Sequence, residues 1–267
     1  MPTLAERYPG AALVTGASSG IGAAFARALA RHNMDVVLVA RRETQLRVLA
    51  GELERDHRVR TLVVPADLAA PDAHVAVAGA VAKAGLQVSF LVNNAGFGVY
   101  GLFRDNDPAR DATMIDLNCR APVMLAHAFL PAMLAKKRGA VIFVSSIGAF
   151  QSTPRFAVYC ATKAFDLMVA EALHLELRRD GVDVLGVNPG PTSTEFNDVS
   201  GYADAPPFSR TPEAVVRTAL RALGRKASVT DGCLNKLMTF FVRLVSRRMA
   251  ARLAGAVMAP RSAHATP

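Results

Sequence analysis

The chain has no tryptophan, four tyrosines and three cysteines among its 267 residues. Nucleic-acid binders commonly spread basic residues along a groove and interleave aromatics for stacking. Here the formal charge of +9 is concentrated at one end: from Arg221 onward nine Lys/Arg face a single acid, Asp231, which leaves +1 for everything before. No nucleic-acid partner is expected. Cys119, Cys160 and Cys233 are far apart, odd in number and without C-x-x-C spacing. Neither a disulfide framework nor a metal site follows from them, and the expected compartment is reducing. Also missing is any charge-free apolar run of the roughly 18 residues that a membrane span needs. The first ten residues carry Glu6 and Arg7 and lead straight into an apolar strand pattern, leaving no room for a signal peptide. These absences leave a soluble cytoplasmic protein as the expectation.

What is abundant is apolar sequence, 51% of the chain, enough for a large core. The expectation is one α/β domain over residues 1–231 and a basic helical extension over residues 232–267. The domain is organised around Thr15 to Gly22, T-G-A-S-S-G-I-G, which follows the apolar run Ala11–Val14 and enters an Ala-rich helical pattern at Ala23. Such a strand, glycine turn and helix lets a backbone approach a pyrophosphate: Gly16, Gly20 and Gly22 remove Cβ atoms, and the helix N-terminus offers free N–H donors. The spacing is G-x-x-x-G-x-G, a longer turn than G-x-G-x-x-G. Alone, the turn could equally be a tight connection.

The next apolar run, Val36–Val39, completes a βαβ unit, and where an NAD site places a carboxylate this chain has Ala40, Arg41 and Arg42. Guanidinium groups there suit the 2′-phosphate of NADP, unless they simply begin the helix over Glu43–Asp56. A third strand, Arg60–Val64, ends near Asp67 and Leu68, and Asp67 would either touch an adenine or cap a turn. The following helix runs from after Pro71 to Lys83. Phe90–Val92 is a fourth strand, followed by Asn93-Asn94-Ala95-Gly96, and residues 108–134 read as one or two helices with Asn118 in their middle. A buried amide inside an apolar helical pattern wants a reason. Ala140–Val144 is a fifth strand ending at Ser145-Ser146. Tyr159 and Lys163 then lie at i and i+4 on one face of a helix reaching about Arg179, so an ammonium can sit beside a phenol. Val182–Val187 is a sixth strand before Asn188-Pro189-Gly190-Pro191. Thr192–Arg210 reads as a loop, and Thr211-Pro212-Glu213 starts a helix ending near Gly224.

Taken in order, the motifs T-G-x-x-x-G-x-G at 15–22, N-N-A-G at 93–96, a helical Asn118, Ser146 thirteen residues before Tyr159, Y-x-x-x-K at 159–163 and P-G-x-x-x-T at 189–194 resemble the short-chain dehydrogenase/reductase superfamily over roughly Gly10–Phe196. The resemblance implies a Rossmann-like αβα sandwich with a seven-stranded parallel sheet and a catalytic tetrad of Asn118, Ser146, Tyr159 and Lys163. It implies cofactor contacts from Gly16, Ser18, Ser19, Gly20, Ile21, Gly22, Asp67, Leu68, Asn94, Ala95, Gly96, Pro189, Gly190, Thr192 and Thr194, besides Arg41, Arg42, Tyr159 and Lys163. Carbonyl reduction needs a hydride and a proton, and Tyr159 is the candidate acid. In the reverse direction Lys163 and the charge of an oxidised nicotinamide favour its phenolate. Asn118, by family analogy, holds a water in a relay toward Lys163.

The expected activity is an NADP(H)-dependent oxidoreductase acting on a small-molecule carbonyl or secondary alcohol, with NAD(H) the less favoured cofactor. The expected substrate is an apolar ketone or of 3-oxoacyl type, and the C-terminal extension resembles that of a bacterial branch related to long-chain 3-oxoacyl reductases. Alternatives are an NAD-dependent alcohol or hydroxysteroid dehydrogenase and a non-catalytic NADP-binding regulator. Phe196, Tyr202 and Phe208 either line an apolar substrate cleft or pack their loop onto the core. In the extension, Leu234, Leu237, Met238, Phe241, Leu244 and Val245 share one helical face, and a break after Ser246 begins a second helix, roughly Arg248–Met258, with a stripe at Met249, Leu253 and Val257. That face would cover the cleft, join subunits of a homo-oligomer (dimer or tetramer), or lie on an anionic membrane surface.

Overall fold

Short β-branched runs, too apolar to leave either face in water, become buried parallel strands, and the amphipathic stretches between them become the covering helices. The computed structural model describes residues 3–202 and 209–259, so Phe208 lies outside the described residues. A capped helical turn, α1 (Leu4–Arg7), precedes β1 (Ala11–Thr15), α2 (Gly20–Arg31), β2 (Val36–Ala40), α3 (Glu43–His57), β3 (Thr61–Pro65), α4 (Ala73–Lys83) and β4 (Val88–Asn93). There follow α5 (Pro108–Ile115), α6 (Ala121–Ala135), β5 (Gly139–Val144), α7 (Ala157–Leu177), β6 (Val182–Asn188), α8 (Phe196–Ser200), α9 (Pro212–Ala222), β7 (Ser228–Thr230), α10 (Cys233–Val242) and α11 (Arg247–Val257).

The strands form one seven-stranded sheet in the order β3-β2-β1-β4-β5-β6-β7, every pairing parallel. This is a Rossmann-like α/β fold. Alternate strand residues feed two apolar cores: Val14, Leu38, Val92 and Ile142 pack with helices α2, α3 and α9 on one side. Leu13, Val37, Leu91 and Val141 pack with α4, α6 and α7 on the other. The order reverses between β1 and β4, which opens a crevice at the strands' C-terminal ends, where open α/β sheets bind ligands.

Three departures from the sequence reading have local causes. β4 begins at Val88 rather than Phe90 because Ser89, which interrupts the apolar run, is buried and donates its hydroxyl to the Tyr8 carbonyl at 2.9 Å. β7 has a single fully apolar residue, Val229, and shows no periodicity of its own; its register against β6 (Val187 opposite Val229) defines it. The stretch read as a loop after Thr192 contains the short helix α8. At the other end, Thr211 caps α9 by accepting from the Ala214 N–H at 3.3 Å with Pro212 at the first helical position, and Ser246 caps α11 by accepting from Met249 N–H at 3.2 Å. The break expected at Ser246 is therefore a helix start.

Candidate active site

The glycine turn leaves β1 at Thr15, whose hydroxyl joins two strand ends. Thr15 Oγ1 accepts from the N–H groups of Asn94 and Ala95, each at 2.9 Å, and donates to the Val92 carbonyl at 3.2 Å. The Asn94 amide donates to the Thr15 carbonyl at 2.8 Å, so this side chain staples β4 to β1. Gly16 has φ of 66°, and a Cβ there would stand 2.7 Å from Asn94 Nδ2. A Cβ on Gly22 would stand 2.2 Å from the Gly16 carbonyl oxygen. Gly16 is thus fixed by torsion and by space, and Gly22 by space alone. Ser18, Ser19, Gly20 and Ile21 form the tip and the start of α2, where Ser19 makes no side-chain cap bond, which leaves the first turn of the helix without the side-chain acceptor that an anion can supply. The turn therefore fits a dinucleotide's pyrophosphate.

Arg42 leans over this tip: its guanidinium donates to Ser18 Oγ (3.1 Å) and Ser19 Oγ (2.8 Å) and pairs with Glu195 at 2.9 Å. The Arg42 hydrogen bond, with Ser19 contributing, holds the Glu195 carboxyl below its ordinary value. Arg41 is exposed at the end of β2 and makes no side-chain bond among the described residues. Asp67 is also exposed and accepts from the Ala69 N–H at 3.1 Å, the turn-capping role. Leu68 is buried in the core.

The remaining residues converge from β4, β5, α7 and the α5–α6 junction. That junction is a π-type turn, Asp116–Arg120, whose extra residue brings Asn118 onto the chain after β4. Asn118 is fully buried; its amide donates to the Phe97 carbonyl (2.9 Å) and to Thr162 Oγ1 (3.0 Å), while Oδ1 accepts from the Phe97 N–H (3.2 Å). This is the reason a buried amide stands mid-helix. Ser146 follows β5 and accepts from the Gly148 N–H at 3.1 Å, while Ser145 turns inward and donates to the Lys163 carbonyl at 2.6 Å. The two adjacent serines thus have distinct surroundings.

Lys163, 5% exposed, donates to the Val144 carbonyl at 2.8 Å and to Asp166 Oδ2 at 2.9 Å. Burial pushes the Tyr159 phenol above its ordinary value, although Lys163 and a hydrogen bond with Ser146 pull the other way. Burial alone would depress Lys163, but Asp166 and Tyr159 outweigh it and hold the ammonium above its ordinary value. A protonated phenol beside a protonated amine is thus the resting state at neutral pH.

On the third side, Pro189 accepts from the Ile147 N–H at 2.9 Å, Thr192 donates to the Gly190 carbonyl at 2.9 Å, and Thr194 accepts from the Phe196 N–H at 3.3 Å. Thr194 also reaches the glycine turn, since a Cβ on Gly20 would lie 2.9 Å from its methyl. Ala95 and Gly96 complete the floor; a Cβ on Gly96 would stand 3.5 Å from Lys163 Nζ.

Phe156, Tyr100 and Gly98 had not been singled out from the sequence, whereas Phe196 and Tyr202 had. Phe156 and Phe196 flank the Tyr159 ring, with centroids 5.7 and 5.1 Å away, and Tyr100 and Tyr202 extend this aromatic wall. Phe196 and Tyr202 therefore stand in one cluster with the candidate acid. Gly98 admits Phe196 and Tyr159, whose rings would lie 2.8 and 3.2 Å from a Cβ there; its signal was the second glycine of N-N-A-G-F-G. Tyr100 Oη donates to the Met258 carbonyl at 2.6 Å, which ties the end of α11 to the wall.

This fold and side-chain set define an oxidoreductase that moves a hydride between a nicotinamide and a CH–OH/C=O carbon. The short chain dehydrogenase family model matches residues 10–203, and the chain belongs to that family. It is 35% identical over 238 residues to a 7beta-hydroxysteroid dehydrogenase of Collinsella aerofaciens, covering 87% of this chain and 90% of that protein. It is 34% identical to a very-long-chain 3-oxoacyl-CoA reductase of Anas platyrhynchos, covering 84% and 71%. A solved structure described for 7beta-hydroxysteroid dehydrogenase stereoselectivity superposes with a TM-score of 0.87 at 33% identity, covering 94% of this chain and 99% of that one. A short-chain dehydrogenase from Sphingobium yanoikuyae in complex with NADPH superposes with a TM-score of 0.76 at 30% identity, covering 89% and 97%.

Proposed function

We propose that the chain interconverts a bulky apolar ketone and its secondary alcohol with NADP(H), working mainly as a reductase. The observation that carries this reading is the convergence of Ser146, Tyr159 and Lys163 beside a glycine turn whose outer side bears Arg41 and Arg42. A bound nicotinamide supplies the hydride to the carbonyl carbon, or takes it up in reverse. Tyr159 Oη gives the proton to the carbonyl oxygen, and Ser146 Oγ donates a hydrogen bond to the same oxygen and orients it. Lys163 keeps a positive charge next to the phenolate that remains and donates to the ribose hydroxyls. Asn118 holds a water through which the proton is replaced, and the 189–194 segment contacts the nicotinamide side. Arg41 and Arg42 pair with the 2′-phosphate, a choice supported by the NADPH complex of the Sphingobium relative.

The aromatic wall of Tyr100, Phe156, Phe196 and Tyr202 supports an apolar substrate. A hydroxysteroid is the favoured class within it, because the relative named for that activity is matched over 90% of its length; a long-chain 3-oxoacyl thioester is second. The test is the rate of NADPH and NADH oxidation with a 7-oxosteroid, bulky aryl ketones and a long-chain 3-oxoacyl-CoA. Turnover of an apolar ketone with NADPH at least tenfold faster than with NADH is expected. Turnover with NADH alone, or with none of these carbonyls, overturns the reading. The outward apolar face of α10 and α11 belongs, in the same reading, against a second copy of the chain.

A further inference from the structure

Three residues beyond Lys163, the helix α7 buries a carboxylate that the chemistry above does not use. Asp166 is 4% exposed and Lys163 5%. A buried carboxylate is costly unless it is paired and its lone pairs are satisfied. Oδ2 is accounted for, accepting from Lys163 Nζ at 2.9 Å. Among the described residues Oδ1 has no hydrogen-bond partner, and neither has the buried Oδ1 of Asn93. Both residues line one small cavity, of about 10 Å³, together with Thr15, Asn118 and the apolar Leu117 and Leu125. Two unpartnered oxygens on the wall of a space with room for a single water suit one donor with two protons, which is what a water is.

We propose that Asp166 is a positioning residue of this enzyme: Oδ2 holds the Lys163 ammonium against the Val144 carbonyl, and Oδ1 with Asn93 Oδ1 binds one buried water. The assignment rests on the reading of Tyr159 and Lys163 as the proton-handling pair. The charged and titratable groups facing Lys163 are Asp166 and Tyr159 from its own helix and Cys119 from the π-type turn. Burial pushes the Cys119 thiol up to about 11 and the phenol up as well; it also pushes the Asp166 carboxyl up, with the Lys163 ammonium pulling it back down, and the 2.9 Å contact between Nζ and Oδ2 makes this carboxyl the counter-charge of the ammonium. Without Asp166 the ammonium keeps a backbone carbonyl but no counter-charge in a buried site, and its neutral form gains.

The test reads the lysine itself and needs no substrate. In protein labelled with [¹³C]lysine, the Lys163 resonance, assigned by its absence in Lys163→Arg, is followed against pH in the wild type and in Asp166→Asn. In the wild type the ammonium is expected to persist beyond the ordinary lysine range near 10.4. In Asp166→Asn, which keeps the shape and loses the charge, the midpoint is expected to fall by at least one pH unit, a tenfold loss of proton affinity, with NADPH affinity changed less than threefold. A wild-type midpoint below the ordinary range, or an unchanged midpoint in the variant, overturns the proposal. If the variant does not fold, the wild-type titration still decides, together with a high-resolution crystal structure. Ordered water within hydrogen-bond distance of both orphaned oxygens is expected there, and protein donors on them instead would overturn the water site. Failure of the catalytic reading itself would show elsewhere, as retained turnover in Tyr159→Phe.

Discussion

At the scale of single residues, Arg41 and Arg42 divide the cofactor question between them. Arg42 is occupied by Ser18, Ser19 and Glu195, whereas Arg41 stands exposed at the same strand end with no bond among the described residues. Arg41→Ala therefore removes a free cation and disturbs nothing else. It is expected to weaken NADPH by about 1.5–3 kcal/mol, the worth of a hydrogen bond to a charged group, and NADH hardly at all. Equal losses in titrations with both nucleotides would place the 2′-phosphate elsewhere. Tyr159→Phe keeps the ring between Phe156 and Phe196 and removes the proton. Nucleotide affinity should hold while turnover falls by roughly 10² to 10⁴. The pH dependence follows from the sign of the shift. The phenol's value is raised by burial, so the acid form needed for reduction is present throughout the neutral range and is lost only as pH rises past the ordinary phenol value near 10. Oxidation needs the phenolate and should climb over that same alkaline range. A reductive rate that fell between pH 6 and 8 would assign the proton to another group.

At the scale of elements, the strands that carry the nucleotide motifs were legible because each is a short apolar run punctuated by glycine or a polar turn. β7 was not, since its place depends on pairing with β6 and not on its own three residues. The proposed tetrad could be picked out from spacing, but Asp166 could not, because an acid at i+3 from a lysine on a helix normally reads as a solvated pair. Only burial on both sides distinguishes it. The same holds for Asp231, the one acid of the basic region, which is fully buried. It accepts from Arg210 Nε at 2.9 Å and Thr218 at 2.5 Å, while its carbonyl accepts from the Asn235 amide at 2.7 Å. This clamp joins the segment after α8, helix α9 and helix α10. Burial alone would push its carboxyl up, but Arg210 and Thr218 outweigh it and hold it below the ordinary range. The clamp's contribution is thus full above the unfolded value near 3.9 and is lost as pH falls through the lower folded value. Asp231→Ala should cost about 2 kcal/mol near pH 7, less than for a fully buried pair because Arg210 is half-exposed. Denaturant unfolding at pH 7 and at pH 3 checks this: the difference between wild type and variant should shrink in acid, and a constant difference would mean that the charge contributes nothing.

At the scale of the whole molecule, the clamp decides which way α10 faces. Asn235 and Thr239 are its buried residues, both polar, so its apolar side turns outward: Leu237 is 53% exposed, Phe241 54% and Leu244 64%. On α11 Met249, Leu253 and Val257 are exposed as well. The periodicity was readable from the sequence; its direction was not, because a helix wheel cannot say which side meets the protein. An outward stripe of this kind marks a contact surface. Among the described residues no helix is long and apolar enough to cross a membrane. The two remaining partners, a second copy and an anionic lipid surface, respond to salt with opposite signs. The two helices and the turn between them carry Lys236, Arg243, Arg247, Arg248 and Arg252 with no acid among them. A symmetric contact brings these cations near their own copies, so screening strengthens it. Attraction to anionic lipid, at about 1 kcal/mol for each Lys or Arg near the surface, weakens as salt rises. Light scattering of the full chain is expected to give a dimer or tetramer that tightens from 50 mM to 500 mM salt, and Leu237→Asp with Phe241→Asp should give a monomer that still binds NADPH. A monomeric wild type that sediments with phosphatidylserine vesicles at low salt and is released at high salt would assign the face to lipid instead.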